Sequence, residues 1–97
     1  MDKELLKKLV IQKLDKFEIV SKMRPIHFDI LDEQIENVLK YENEYKNEGL
    51  SDDDFAEIVI YYLSQVLQFF EELLKGVQVK YPKHIVEIAY RGKNHRI

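Results

Sequence analysis

Residues 50–76 have the sequence LSDDDFAEIVIYYLSQVLQFFEELLKG, and this stretch decides the fold. Ser51 and Asp54 have the spacing of a capping box, in which each side chain accepts from the backbone N–H of the other residue. Three aspartates in one first turn also favour the positive end of the helix dipole. Because Gly76 is a typical stop signal, the stretch predicts a helix that ends at about Lys75.

This predicted helix is more apolar than an ordinary surface helix. At 100° per residue its apolar side chains cover an arc of about 200°, whereas a one-sided helix shows about 100° or somewhat more. Two interpretations remain open. Either the helix is the centre of a bundle and packs against all the other helices, or part of the arc, Ile60 with Leu67 or Ile58 with Phe69, faces a second chain.

A first helix is predicted from Asp2, a suitable N-cap, to about Lys22. The Arg24-Pro25 pair then breaks it, because the residue before a proline is pushed out of the helical region. Its apolar stripe consists of Leu6, Val10, Leu14 and Phe17, widened by Leu5, Leu9 and Val20, with Ile11 and Ile19 outside it.

A second helix is predicted to start between Pro25, which suits a first helical position, and Asp29, which suits an N-cap. Gly49 is its expected stop. Its apolar stripe consists of Ile30, Leu31, Ile35, Val38, Leu39 and Tyr45.

The C-terminal part is predicted to contain a connector at 77–81, a short helix from Pro82 to about Tyr90 and a flexible basic tail at 91–97. Three long helices and a short one, joined by short connections, predict an all-α fold, a small antiparallel helical bundle. At 97 residues, the chain is expected to form a single domain over residues 1–97.

Composition excludes several classes of protein. The chain contains no Cys, which rules out disulfide scaffolds and Cys-based zinc sites. It contains only three Gly, which rules out Gly-rich nucleotide loops and collagen-like repeats. The longest apolar run, Ile58–Leu63, is far short of the roughly 20 residues that a membrane span needs. Because the N-terminus is charged and lacks the apolar segment of an export signal, we expect a cytoplasmic protein.

Charge is unevenly distributed along the chain. Residues 29–57 carry a net charge of −9, and residues 75–97 carry +5. The acidic second helix either steers a basic partner protein or is an ordinary solvated face. The basic end contains the candidate phosphate contacts, but a pI near 5.6 argues against a nucleic-acid partner. These candidates are Lys80, Lys83, Arg91, Lys93 and Arg96.

The pattern contains no recognisable catalytic, cofactor-binding or metal-binding motif. His27, His84 and His95 are far apart, and no His-Glu-x-x-His occurs. The three aspartates at 52–54 lack the alternating spacing of a calcium loop, and the three serines lie outside any nucleophile motif. We therefore expect no enzyme, no cofactor and no metal.

The resulting hypothesis is a non-catalytic protein-binding module: an inhibitor, an immunity-type protein, an anti-regulator or an adaptor. Tyr61 falls in the polar arc of its helix and is expected to be exposed, and tyrosine is common at interfaces. The candidate contact residues are Tyr61, Tyr41, Tyr45, Glu36, Glu44 and Ile60.

The alternative hypothesis is an obligate homodimer that serves as a structural or assembly component. The apolar helix would pair with its copy across a two-fold axis. The basic C-terminal tails would then be displayed together and could contact nucleic acid.

Overall fold

Five α-helices and one 3₁₀ turn form the part of the chain that the computed structural model describes, residues 1–47 and 49–75, apart from the side chains of Tyr45 and Leu74. They are α1 (Lys3–Asp15), the 3₁₀ turn (Val20–Lys22), α2 (Pro25–Lys40), α3 (Glu42–Asn47), α4 (Asp52–Val66) and α5 (Gln68–Leu74). No strand occurs among these residues, and the predicted all-α class is confirmed. The predicted connector 77–81, the short C-terminal helix and the basic tail lie outside the described residues.

The helices α1 and α4 begin at the predicted capping residues, and α2 begins at Pro25, the first residue of the range predicted for its start. The Asp2 carboxylate accepts from the Glu4 N–H at 3.1 Å, and Pro25 is the first residue of α2. At the start of α4, the Asp54 N–H donates to Ser51 Oγ at 3.2 Å and the Ser51 N–H donates to Asp54 Oδ2 at 3.0 Å. The capping box is therefore confirmed with Asp in the position that Glu or Gln usually occupies.

The first helix ends at Asp15, and the prediction that it continues to Lys22 was wrong. The Ile19 N–H donates to the Leu14 carbonyl at 3.3 Å, and the Glu18 N–H donates to the Asp15 carbonyl at 3.0 Å. This pair of bonds is a Schellman motif, whose left-handed residue is usually Gly. Here Glu18 occupies that position with φ 57°, so no glycine marks the end of the helix.

The early end of α1 changes which apolar side chains are buried. Ile19, outside the predicted stripe, is only 1% exposed, because the Schellman turn brings it back to the core beside Leu14. Phe17, within the predicted stripe, is 40% exposed, and Leu5 is also exposed. The central members of the stripe, Leu6 and Val10, are buried as predicted.

The two other predicted long helices are each interrupted at one residue. Tyr41 separates α2 from α3 with φ −110° and ψ 18°. Leu67 separates α4 from α5 with φ −121° and ψ 107°, which is extended backbone. Gly49 follows α3 with φ 79°, as expected of a glycine stop.

The core is built around α4, which packs against α1, α2 and α5. Its apolar side chains are buried on almost all sides, including Ile58 and Ile60 of the wide apolar arc. The described residues agree with the central position for its packing against α1 and α2, and the predicted short C-terminal helix lies outside them. The buried side chains are Leu6, Val10, Leu14, Ile19, Leu31, Ile35, Val38, Leu50, Phe55, Ala56, Ile58, Val59, Ile60, Tyr62, Leu63 and Phe70.

Ion pairs show that α1 and α2 run antiparallel. Lys3 Nζ lies 2.9 Å from Glu36 Oε1, and Lys7 Nζ lies 3.1 Å from Asp32 Oδ1. The residue number of the partner on α2 therefore decreases as that of the lysine on α1 increases. None of the helices in residues 1–47 and 49–75 is long and apolar enough to cross a membrane.

Candidate protein-binding surface

Part of the uneven charge of the sequence is neutralised within the molecule. On one side of α1, Lys3 and Lys7 pair with Glu36 and Asp32 of α2. On another side, Lys13 pairs with the start of α4. The basic first segment and the acidic middle segment thus pair with each other across the bundle, and these pairs offset part of the charge that each segment carries.

Lys13 is the most enclosed of these lysines, with an 18% exposed side chain. Its Nζ lies 2.9 Å from Glu57 Oε1 and 3.0 Å from Asp53 Oδ1. Partial burial lowers the pKa of Lys13, but the hydrogen bonds to Glu57 and Asp53 outweigh that effect, and the net pKa is raised above its ordinary value. Lys13 is therefore firmly charged and is a structural residue.

Glu42, the first residue of α3, pairs with the chain's first residue. Its carboxylate accepts from the Met1 ammonium and lies 3.0 Å from Lys46 Nζ. The hydrogen bond from the Met1 ammonium, followed by that from Lys46, lowers the pKa of Glu42 below its ordinary value. This carboxylate is likewise occupied within the chain.

Two of the exposed acidic groups that form no ion pair in the described part of the chain lie on the solvent side of α2. Asp29 and Glu33 are exposed, and neither forms an ion pair within the described part of the chain. Ile26 lies on the same side and is 57% exposed. We call Ile26, Asp29 and Glu33 the outer face of α2.

The amphipathic pattern of α2 sets this arrangement. Leu31, Ile35 and Val38 are buried and turn one side of the helix toward the core. Residues 26, 29 and 33 are spaced by three and four, so they fall together on the opposite side. The outer face thus combines an apolar side chain with two carboxylates, a pattern that suits a basic partner with an apolar contact.

The predicted acidic contact residues are exposed. Glu36 continues the outer side of α2, and its carboxylate is 61% exposed even though it pairs with Lys3. Glu44 is exposed on α3. These two residues agree with a contact role, although only Glu36 lies on the same helix as the outer face.

The predicted aromatic and apolar contact residues are placed differently. Tyr61 was expected to be exposed, and this was wrong: it is half-buried against the core, because neighbouring elements surround α4 beyond its apolar arc. Ile60 is 4% exposed and belongs to the core, so its surface is not available to a partner. Tyr41 is also half-buried against the core.

The remaining predicted residues lie outside the described structure. For Tyr45 this applies to the side chain, and for the candidate phosphate contacts it applies to the whole residues. The latter are Lys80, Lys83, Arg91, Lys93 and Arg96.

Sequence reasoning missed Ile26 and did not single out Asp29 and Glu33 as contact residues. The available signal was Pro25: a helix that starts there places residues 26, 29 and 33 opposite the stripe of Leu31 and Ile35. Because the start of the helix was left open between residues 25 and 29, this face was not defined.

Within the described residues, no group of three or more His, Cys, Asp or Glu side chains is arranged to hold a metal ion. His27 lies in the first turn of α2, where its Nδ1 accepts from the Arg24 N–H at 2.9 Å. Its ring stacks on Phe69 of α5, with a centroid distance of 4.0 Å and an interplanar angle of 12°. The role visible for His27 is to connect two helices.

Comparisons with known proteins do not place the chain in a family. No protein-family model, curated protein or solved structure matches it. The fold and surface define a class only: a small all-α protein with an enclosed central helix and an exposed face, apolar and acidic, on α2.

Proposed function

We propose that this protein is a non-catalytic binding module that attaches to a basic partner protein through the outer face of α2. The observation that carries the proposal is the outer face itself. Asp29 and Glu33 project negative charge without an ion pair in the described structure, and Ile26 exposes apolar surface beside them.

Charge complementarity gives the partner its chemistry. Exposed carboxylates attract a basic surface over about a Debye length and accelerate its association. An adjacent apolar side chain supplies contact area that charges alone do not. An inhibitor, an immunity-type protein, an anti-regulator or an adaptor would each use such a face.

The outer face is favoured over the homodimer alternative because of burial. A homodimer that pairs through the apolar arc needs that arc at the surface, but Ile58 and Ile60 are enclosed by the chain's own helices. The large apolar side chains that do remain exposed, such as Leu5 and Val66, lie on different helices. We therefore do not propose self-association through the apolar arc of the predicted helix.

Site-specific photo-crosslinking tests the proposal. A photoreactive phenylalanine analogue at position 26 should cross-link a distinct protein in the cells that produce the chain. The same analogue at Gln12, which is exposed on α1, is the matched control for position. The double substitution D29K/E33K should weaken the binding of the cross-linked protein by about tenfold, mainly through slower association.

The charge control is E71K/E72K on α5, which reverses two exposed carboxylates and changes the net charge by the same amount. The proposal requires that this variant keep the cross-linked partner. Equal loss in both double variants would attribute binding to overall charge, and the absence of any product specific to position 26 would contradict the proposal.

A further inference from the structure

The junction between α4 and α5 is a helix break that its sequence does not explain. Residues 64–70 are SQVLQFF, which contains neither Gly nor Pro, and the periodicity predicts one continuous helix through them. Leu67 nevertheless has φ −121° and ψ 107°, so the chain leaves the helix at a single residue and re-enters it at Gln68.

The break leaves helix hydrogen bonds unmade. The Leu67 N–H still donates to the Leu63 carbonyl at 2.9 Å, and the Phe70 N–H donates to the Leu67 carbonyl at 3.0 Å. Between them, the N–H groups of Gln68 and Phe69 have no backbone acceptor among the described residues, and α5 has no side-chain cap. A continuous helix would direct both groups to carbonyls four residues earlier.

Aromatic contacts hold α5 in its bent position. Phe70 is completely buried, and Phe69 stacks on His27 in the first turn of α2. The two phenylalanine rings also contact each other edge to face, with centroids 5.7 Å apart. Local hydrogen bonding thus favours a straight helix, whereas packing favours the bend.

We propose that Leu67 is a hinge at which α4 and α5 straighten into one helix, and that the released α5 docks into the α5 site of a second copy of this chain. The exchange satisfies both tendencies at once. The helix regains its backbone hydrogen bonds, and Phe70 is buried again, in the partner's site.

The second copy is the fitting occupant because its α5 carries the same side chains that fill the site within one chain. Exchange of an identical element remakes the contacts that α5 forms with the other described residues, which makes it a low-cost route to a dimer. A one-residue connection that opposes the local helical tendency is also the kind of hinge that favours exchange. This inference is independent of the outer face of α2.

Substitution of Gln68 tests the hinge. Gln68→Pro removes the N–H that a continuous helix needs, while proline suits the first position of α5 and the extended backbone of Leu67 suits the residue before a proline. Gln68→Ala is the matched control, since it keeps the N–H and strengthens the helix. Each full-length chain would be refolded from urea at about 1 mM, and its solution mass would then be measured by light scattering after size exclusion.

The wild type should form a dimer fraction after refolding at high concentration, Gln68→Ala a larger one and Gln68→Pro none. If both the wild type and Gln68→Ala remain monomeric, the proposal is wrong. A Gln68→Pro chain that is folded by circular dichroism and still dimerises like the wild type would also overturn it, because the dimer would then not need a straight helix.

Gln68→Gly keeps the test decisive if the proline variant does not fold. Glycine disfavours the continuous helix relative to alanine without removing the N–H. The dimerisation constant should then rise at least fivefold from Gln68→Gly to Gln68→Ala. Equal constants for these two variants would contradict the hinge.

Discussion

The helices α4 and α2 have almost the same length but opposite relations to solvent. In α4, every residue from Phe55 to Leu63 is buried or half-buried. In α2, a buried stripe around Leu31 and Ile35 lies opposite exposed side chains at 26, 29 and 33. The excess hydrophobicity of one helix is therefore structural, whereas the surface that we propose for a partner lies on the less apolar helix.

This difference underlies the division that we propose between the two helices, with stability assigned to α4 and recognition to α2. An enclosed helix tolerates few changes, because each side chain fits a densely packed interior. A helix with one solvent side can vary there with little effect on folding. The free energy of unfolding of substituted chains measures how much each region contributes to stability.

The largest contrast is expected between isoleucines of the two helices. Ile58→Ala in α4 removes a fully buried side chain and should lower the free energy of unfolding by about 2–5 kcal/mol. Ile26→Ala on the outer face of α2 should change it by no more than about 0.5 kcal/mol. Urea denaturation followed by circular dichroism measures both, and similar losses at the two positions would refute the division.

An intermediate effect is expected at the start of α4. Ser51→Ala removes the oxygen that accepts from the Asp54 N–H and should lower the free energy of unfolding by about 1 kcal/mol. Ser21→Ala is the matched control, since its hydroxyl makes a single exposed hydrogen bond to the Glu18 carbonyl. If the Ser51 variant is as stable as the Ser21 variant, packing alone fixes where α4 begins.

The smallest effect is expected from Glu42, which joins the segment after α2 to Met1. Folding lowers the pKa of this carboxyl below its ordinary value of 4.5, so the folded state favours the ionised form. Its contribution is therefore present above about pH 4.5 and is lost as the pH falls through the lowered pKa. The difference in the free energy of unfolding between the wild type and Glu42→Gln should be measurable by urea denaturation at pH 7 and should be smaller at pH 3. A difference that does not depend on pH would exclude the charge of Glu42 as its source.

Local signals in the sequence were sufficient for the starts of α1 and α4 and for the centres of the buried stripes. The side chains of Asp2, Ser51 and Asp54 bond to backbone within three residues, so their role is determined locally. Leu31 and Ile35 lie at the middle of an apolar stripe, where an error in its edge does not matter. Such features do not depend on which helices pack together.

The breaks within the helices could not be predicted in the same way. Glu18, Tyr41 and Leu67 interrupt helical patterns without Gly or Pro. At Leu67, the tertiary contacts of Phe69 and Phe70 oppose local helix propensity, and a sequence pattern contains no measure of such contacts.

The candidate surface shows the same limit. The acidic character of the second helix was evident from the sequence, and Glu36 is indeed exposed. The expectation for Tyr61 failed because an angle on a helical wheel gives the direction of a side chain but not what lies in that direction. Which carboxylates were already paired, as Asp32 is with Lys7, also depended on contacts between distant segments.

The left-handed Glu18 has a consequence for the tolerance of this chain to change. An L-residue held at φ 57° sacrifices roughly 1 kcal/mol that glycine would not. The chain therefore carries an unused stability reserve at one exposed position. Glu18→Gly would give a variant with a higher free energy of unfolding, in which destabilising substitutions elsewhere could be studied in folded protein.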